Sequence, residues 1–282
     1  MMPTKKPGTA RRSTRGQVKQ PRPGRSAAVE VSVVIPVFNG QGFIRENIAA
    51  LQDFCRSHFS SHEIIVVDDG SRDKTREALE SLPKRNLKVI GLDKNRGKFG
   101  ALAAGMAQAR GRCRLFTDAD LPYNLDALPY IVRLINDRGL HIIIGDRNLP
   151  QSVYDTHTNW LRNVSTKIFS FFVYMMVTGG LFDTQCGLKG FRADVAEGLF
   201  PLVTDWGFSG DVELLYIALK YNLEIKRIPV RLESHGPSTV RLLSQAWRML
   251  ARISQLRLNW NRGIYASQKL KNITSQDYWR KD

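Results

Sequence analysis

The chain has 282 residues, of which 43% are hydrophobic, and a formal net charge of +16. This length allows one large domain or two small ones, and we expect no transmembrane helix, because the longest apolar run (168–182) falls short of the roughly twenty residues needed. The three cysteines lack the spacing of a metal site, which excludes a zinc module and suits a reduced cytosolic compartment.

A basic segment opens the chain. Residues 1–25 carry eight lysines and arginines, four prolines and three glycines, and no acidic residue. Such a composition predicts a disordered basic tail, which we place at residues 1–28. The tail could bind an anionic membrane surface or nucleic acid, or it could serve solubility alone.

Strands and helices are predicted to alternate over the next 120 residues. The expected strands are 29–37, 63–67, 87–92, 112–117 and 141–144. The expected helices begin near Ile44 and Thr75 and then cover 98–110 and 129–136. This alternation is typical of a doubly wound, mostly parallel α/β sheet. Ligands of such sheets bind at the carboxyl ends of the strands.

The second half of the chain has a different pattern. The segment 183–192 is rich in turn residues, and a helix at 212–219 and a strand at 224–233 are predicted after it. A basic amphipathic helix is predicted at 240–260. We therefore expect one α/β domain at 29–240, followed by a membrane-facing C-terminal helix and tail at 241–282.

Two acidic residues end the fourth predicted strand. Asp118 and Asp120 follow a short apolar run, and neighbouring carboxylates are costly to bury unless a cation offsets their charge. A hard divalent cation, Mg²⁺ or Mn²⁺, would bind these oxygens and the phosphates of a substrate. Taken alone, such a pair is more often a solvated turn. Two further polar clusters, Pro36–Asn39 and Asp68–Ser71, end the first two strands.

Four of these motifs together resemble family 2 glycosyltransferases. They are Val33-Val-Ile-Pro-Val-Phe-Asn39, Val66-Val-Asp-Asp-Gly-Ser71, Asn95-Arg-Gly-Lys98 and Asp118-Ala-Asp120. The resemblance implies the GT-A fold and an inverting transfer from a nucleotide sugar. Asp183–Phe191 and Asp211–Leu215 are similar to the branch that glucosylates dolichyl phosphate, with mannosyl transfer from GDP-mannose as the alternative.

The resemblance also implies the site residues. The expected catalytic residues are Asp118, Asp120 and Asp211, and the first two are the expected metal ligands. The nucleotide sugar is expected to contact Pro36, Asn39, Asp68, Asp69, Lys98 and Lys189. The acceptor phosphate is expected to contact Arg147, Arg162, Ser165 and Arg192. Turn formation, helix capping or surface ion pairing are the competing explanations for several of them.

A polyprenyl-phosphate acceptor carries consequences for location and chemistry. Its phosphate is largely dianionic at pH 7 and can attack without a strong base, given orientation and cations. Because its tail stays in lipid, we expect a cytoplasmic protein bound peripherally to the cytosolic face of a membrane, with 168–176 and 240–260 as interfacial segments.

A nucleic-acid-binding or membrane-surface protein without catalysis is the rival class, but the sequence shows no helix-turn-helix or finger pattern. The oligomeric state stays open.

Overall fold

The computed structural model describes residues 29–153, 183–207, 209–232 and 254–278. The strands in these ranges are β1 (Val31–Val37), β2 (His62–Asp68), β3 (Leu87–Gly91), β4 (Cys113–Phe116), β5 (Ile142–Asp146), β6 (Lys189–Arg192) and β7 (Ile225–Pro229). The helices are α1 (Ile44–His58), α2 (Thr75–Glu80), α3 (Lys98–Gln108), α4 (Ala127–Arg138), α5 (Ala193–Leu199), α6 (Gly210–Lys220), α7 (254–261) and α8 (Gln268–Tyr278).

The seven strands form one sheet in the order β3-β2-β1-β4-β6-β5-β7. Every neighbouring pair is parallel except the two pairs that contain β6, which runs antiparallel between β4 and β5. The predicted doubly wound, mostly parallel sheet is confirmed. The segment 183–192, however, is not all turn, because its last four residues form β6.

The reversed direction of β6 decides where its two ends lie. Lys189 pairs with Phe116 and Ile144, near the carboxyl ends of β4 and β5. Arg192 pairs with Cys113, at the opposite edge of the sheet. The first residue of β6 therefore belongs to the edge where ligands bind, and the last does not.

Helices cover both faces of the sheet. Alternate residues of β1 face opposite ways: Val33 and Ile35 pack with α1 and α4, whereas Val34 packs with α3 and α6. All three side chains are fully buried. β1 is a continuous β-branched run because a central parallel strand is covered on both faces.

The described part of the C-terminal region packs against this core. Leu256, Tyr265 and Leu270 are buried in the same apolar cluster as α3 and α6. The Tyr221 hydroxyl donates a hydrogen bond of 2.8 Å to the Tyr265 carbonyl oxygen. These side chains attach residues 254–278 to the α/β domain, whereas Leu258 and Ile264 stay 47% exposed, so the membrane-facing role of this segment stays a prediction.

Three expectations concern residues outside the described ranges: the basic tail at 1–28, the segment 168–176 and the first part of 240–260. Across the residues that are described, no helix is both long and apolar enough to cross a bilayer.

Candidate active site

The three polar clusters that end β1, β2 and β4 lie side by side at the carboxyl edge of the sheet, because these strands are adjacent and parallel. Pro36 is a half-buried residue of β1 opposite Val67. The order of strands reverses between β1 and β4, and ligands of doubly wound sheets bind at such a reversal.

Asn39 and Asp68 join the ends of β1 and β2. Asn39 has φ of +54°, a left-handed conformation that asparagine tolerates. Its backbone N–H donates to Ser71 Oγ at 2.9 Å, and its Oδ1 accepts the Arg72 N–H at 2.9 Å. Asp68 Oδ1 accepts the Ser71 N–H at 3.0 Å. These bonds form the rim of the cleft, and the roles of both residues in nucleotide binding stay predictions.

Asp69 joins the end of β2 to the loop before α3. It is buried, and its two oxygens accept the N–H groups of Arg96 at 2.7 Å and Gly97 at 2.8 Å. Burial, with a smaller contribution from the Asp68 charge, raises the pKa of Asp69 in spite of these bonds. Both oxygens fasten the loop that leads into α3, but each keeps a further lone pair, so a contact between Asp69 and the nucleotide sugar stays a prediction.

Two lysines and two aspartates meet beneath the cleft. Lys98 Nζ lies 2.6 Å from Asp118 Oδ1, and Lys189 Nζ lies 2.5 Å from Asp211 Oδ1. Both ammonium groups also lie over the Phe116 ring, at 5.9 and 5.3 Å from its centroid. Burial acts to lower the pKa of Lys98, but the charges of Asp118 and Asp211 outweigh it and raise that pKa. The four groups form one neutral cluster.

Lys189 is the most enclosed member of this cluster. Its side chain has 0% exposure, and its ammonium also donates to the Cys186 carbonyl oxygen at 2.6 Å. In this structure the enclosed side chain does not reach the cleft, so a contact between Lys189 and the nucleotide sugar stays a prediction that its burial does not favour. Lys189 instead positions Asp211 near the start of α6, and the catalytic role of Asp211 stays a prediction.

Asp120 adds a third carboxylate beside the cluster of two lysines and two aspartates. It is half-buried in the turn after β4, and burial, together with the Asp118 charge, raises its pKa. A cation at this turn would relieve that repulsion, so the residues fit a divalent ion. In the described part of the chain, no three acidic, histidine or cysteine side chains could hold a metal together. A bound ion would therefore need further oxygens, which a diphosphate supplies.

The loop 204–207 closes the N-terminus of α3. The Phe99 N–H donates to the Trp206 carbonyl oxygen at 2.9 Å, and a Cβ on Gly97 would lie 2.4 Å from the same oxygen. Gly97 also has φ of +85°, so glycine is needed there on both counts. The Phe99 amide is therefore occupied, and the Lys98 ammonium is a further group at this helix start that could meet a phosphate.

Three residues near the site were not among the predicted site residues. Phe38 and Trp206 expose 44% and 50% of their surface beside the cleft, which suits rings that stack on a ligand. Glu213 is buried and accepts hydrogen bonds from Thr204 Oγ1 at 2.7 Å and the Tyr265 hydroxyl at 2.5 Å. Glu213 thereby anchors the Trp206 loop, a role that its position in an apolar helix did not indicate.

The predicted acceptor residues divide into three groups. Arg147 forms a bidentate pair with Asp183, with both N–O distances at 2.8 Å, and its side chain keeps 30% exposure, so its phosphate role stays a prediction. Arg192 pairs with Asp194 and Asp277 at the opposite edge of the sheet, because β6 is antiparallel, and its phosphate role stays a prediction that this position does not favour. Arg162 and Ser165 lie outside the described residues.

Comparisons with known sequences agree with this geometry. The profile of glycosyl transferase family 2 matches residues 32–200. The dolichyl-phosphate beta-glucosyltransferase of Dictyostelium discoideum is 31% identical over 252 residues, which cover 84% of this chain and 76% of that protein. The enzyme of the same name from Drosophila melanogaster is 30% identical over 275 residues, covering 89% and 81%.

A solved structure shares the fold. Glucosyl-3-phosphoglycerate synthase from Mycobacterium tuberculosis, in complex with Mn²⁺, UDP-glucose and phosphoglyceric acid, superposes with a TM-score of 0.61. The alignment covers 83% of this chain and 85% of that one at 18% identity. The likeness establishes a GT-A-like fold.

Proposed function

This chain belongs to glycosyl transferase family 2, and we propose that it transfers glucose from UDP-glucose to dolichyl phosphate or another polyprenyl phosphate. The observation that carries the proposal is the charged cluster of Lys98 and Asp118 at the strand-order reversal, next to the half-buried carboxylate of Asp120. The shared name of relatives at about 30% identity supports this choice of sugar and acceptor.

The chain's own residues account for the steps that a phosphate acceptor requires. The dianionic acceptor supplies its own nucleophile, so the protein must orient it and offset the charge of two phosphorylated substrates. Lys98, at the mouth of the charged cluster, would meet the donor diphosphate. Because Lys189 neutralises Asp211, that carboxylate suits an orienting role better than that of a strong base. Attack opposite the leaving diphosphate inverts the anomeric carbon.

A divalent cation fits the acidic end of β4 in this proposal. Asp120, with Asp118 beside it, would hold the ion, and the ion would supply Lewis-acid stabilisation of the leaving diphosphate. Mn²⁺ accompanies UDP-glucose in the M. tuberculosis structure, which supports the choice of Mn²⁺ or Mg²⁺. The nucleotide itself would lie along the rim formed by Asn39 and Asp68.

The product tests the acceptor. Incubation with labelled UDP-glucose, dolichyl phosphate and Mn²⁺ should yield label that partitions into organic solvent and is released as glucose by mild acid, as expected of a phosphate-linked sugar. Parallel reactions with labelled GDP-mannose separate glucosyl from mannosyl transfer. Extractable mannose without glucose would reassign the donor. Label found only on protein, polysaccharide or nucleic acid would contradict the lipid-phosphate acceptor.

We also propose peripheral attachment to the cytosolic face of a membrane. The acceptor is a lipid, and residues 1–25 add eight positive charges that anionic headgroups attract, an attraction that salt screens within about 8 Å. Flotation with anionic vesicles should therefore weaken as salt rises, and deletion of 1–25 should lower binding while turnover on detergent-dispersed acceptor persists. Equal, salt-independent flotation of both proteins would rule out the tail as an attachment, and absence of flotation would rule out membrane binding.

A further inference from the structure

The ion pair of Lys98 and Asp118 stands where, under the proposed function, donor diphosphate and cation would meet. Its N–O distance is 2.6 Å, with 15% exposure of the lysine side chain and 33% of the aspartate side chain. Neither group is sealed away from the cleft. One oxygen of Asp118 therefore has a positive partner in this structure.

The second oxygen of Asp118 is confined from another direction. A Cβ placed on Gly187 would lie 1.8 Å from Asp118 Oδ2, so the backbone before β6 packs directly against that oxygen. A divalent ion that reached Asp118 alone would have to share the carboxylate with the Lys98 ammonium. Two cations side by side in a partly enclosed site repel each other strongly.

The two lysines of the cluster differ in their freedom to change partner. Lys189 is fully enclosed and holds Asp211 and the Cys186 carbonyl oxygen together. Lys98 keeps some exposure, and its hydrogen-bonded carboxylate partner is Asp118. A flexible lysine stem lets its ammonium move between neighbouring acceptors. A diphosphate entering the cleft would attract Lys98 and leave Lys189 in place.

We propose that Lys98 is an exchangeable counter-ion: it neutralises Asp118 in the donor-free protein and moves to the donor diphosphate as nucleotide and divalent cation bind together. The exchange rests on the proposed nucleotide-sugar function. Lys98 thereby orders binding, since it keeps the cation out of the site until a diphosphate is present. Nucleotide and cation should each raise the affinity for the other by the same factor.

Titration of Mn²⁺ into the full chain, followed by the EPR signal of free Mn²⁺, tests this order. In the wild type, saturating UDP should tighten Mn²⁺ binding by at least about tenfold. In Lys98→Gln, Mn²⁺ alone should bind at least about fivefold more tightly, and the effect of UDP should shrink by a similar factor. Lys94→Gln removes an equal charge from an exposed position four residues away and should behave as the wild type.

Two results would overturn the exchange: equal affinity of Lys98→Gln and wild type for Mn²⁺ alone, or no effect of UDP on Mn²⁺ binding in the wild type. If circular dichroism shows that Lys98→Gln is unfolded, the wild-type titration and Lys98→Arg decide, since Lys98→Arg keeps the charge and should bind Mn²⁺ alone as weakly as the wild type. Coupled binding of UDP and Mn²⁺ without glucose transfer would support the exchange while contradicting the proposed acceptor.

Discussion

Asp120→Asn should reduce turnover at least about 100-fold under saturating UDP-glucose, dolichyl phosphate and Mn²⁺. The substitution keeps the size of the side chain but removes the carboxylate that burial and the Asp118 charge make available to a cation at the end of β4. Stabilisation of the leaving diphosphate is needed mainly in the transition state, so kcat should fall far more than the affinity for UDP. Initial rates of formation of organic-extractable glucose measure the effect.

The matched control is Asp126→Asn. Asp126 is an exposed acid just before α4, and its side chain caps no helix amide. Turnover of this variant should stay within about twofold of the wild type, since surface substitutions away from special contacts have small effects. Full turnover by Asp120→Asn, or by the wild type in excess chelator, would contradict the metal role of Asp120.

Lys189→Met should lower the free energy of unfolding by about 3–5 kcal/mol. The variant leaves Asp211, itself buried, without its ammonium partner in the core beside Phe116. Breaking a buried pair costs more than removing both partners, so Lys189→Met/Asp211→Leu should recover part of the loss. Urea unfolding of the wild type, both single variants and the double variant gives the interaction energy of the pair.

Arg56→Met provides the comparison for this cycle. Arg56 pairs with Asp53 on α1, but both side chains are mostly exposed, so its loss should change the free energy of unfolding by less than about 1 kcal/mol. Similar effects of Lys189→Met and Arg56→Met would show that the Lys189–Asp211 pair contributes little to stability. If the double variant regains stability but not turnover, the contribution of the pair to stability is distinct from its contribution to the reaction.

The sequence predicted the parallel part of the fold well because each of those strands is marked by its residues. β1 and β2 are dense β-branched runs, and each ends in polar residues that mark the carboxyl edge. Spacing alone was enough to identify the apolar face of α1, where Ile44, Ile48 and Leu51 are all buried. Asp118 and Lys98 were both predicted as site residues, and the structure brings them within 2.6 Å.

The remaining features depend on direction and pairing, which local patterns do not encode. β6 is a four-residue strand that contains a glycine, so neither its existence nor its antiparallel direction could be predicted from alternation. That direction separates Lys189 from Arg192, which looked equivalent in the sequence. Asp69 looked like a ligand-binding residue, but a long-range contact with Arg96 and Gly97 uses both its oxygens. The amphipathic C-terminal pattern suits lipid or protein equally, and Leu256 packs against protein.

The Arg147–Asp183 pair has a consequence for how such an enzyme can diversify. The chain leaves the sheet after β5 and returns through β6 at the same edge. The bidentate pair of Arg147 and Asp183 holds together the two ends of the interval between them. The entropy of closing a loop changes slowly with its length, so with this pair in place the length of the interval can vary at little cost to the pairing of β5 with β6. Chains that share this pair should therefore differ in the length of the interval more readily than in the strands on either side of it.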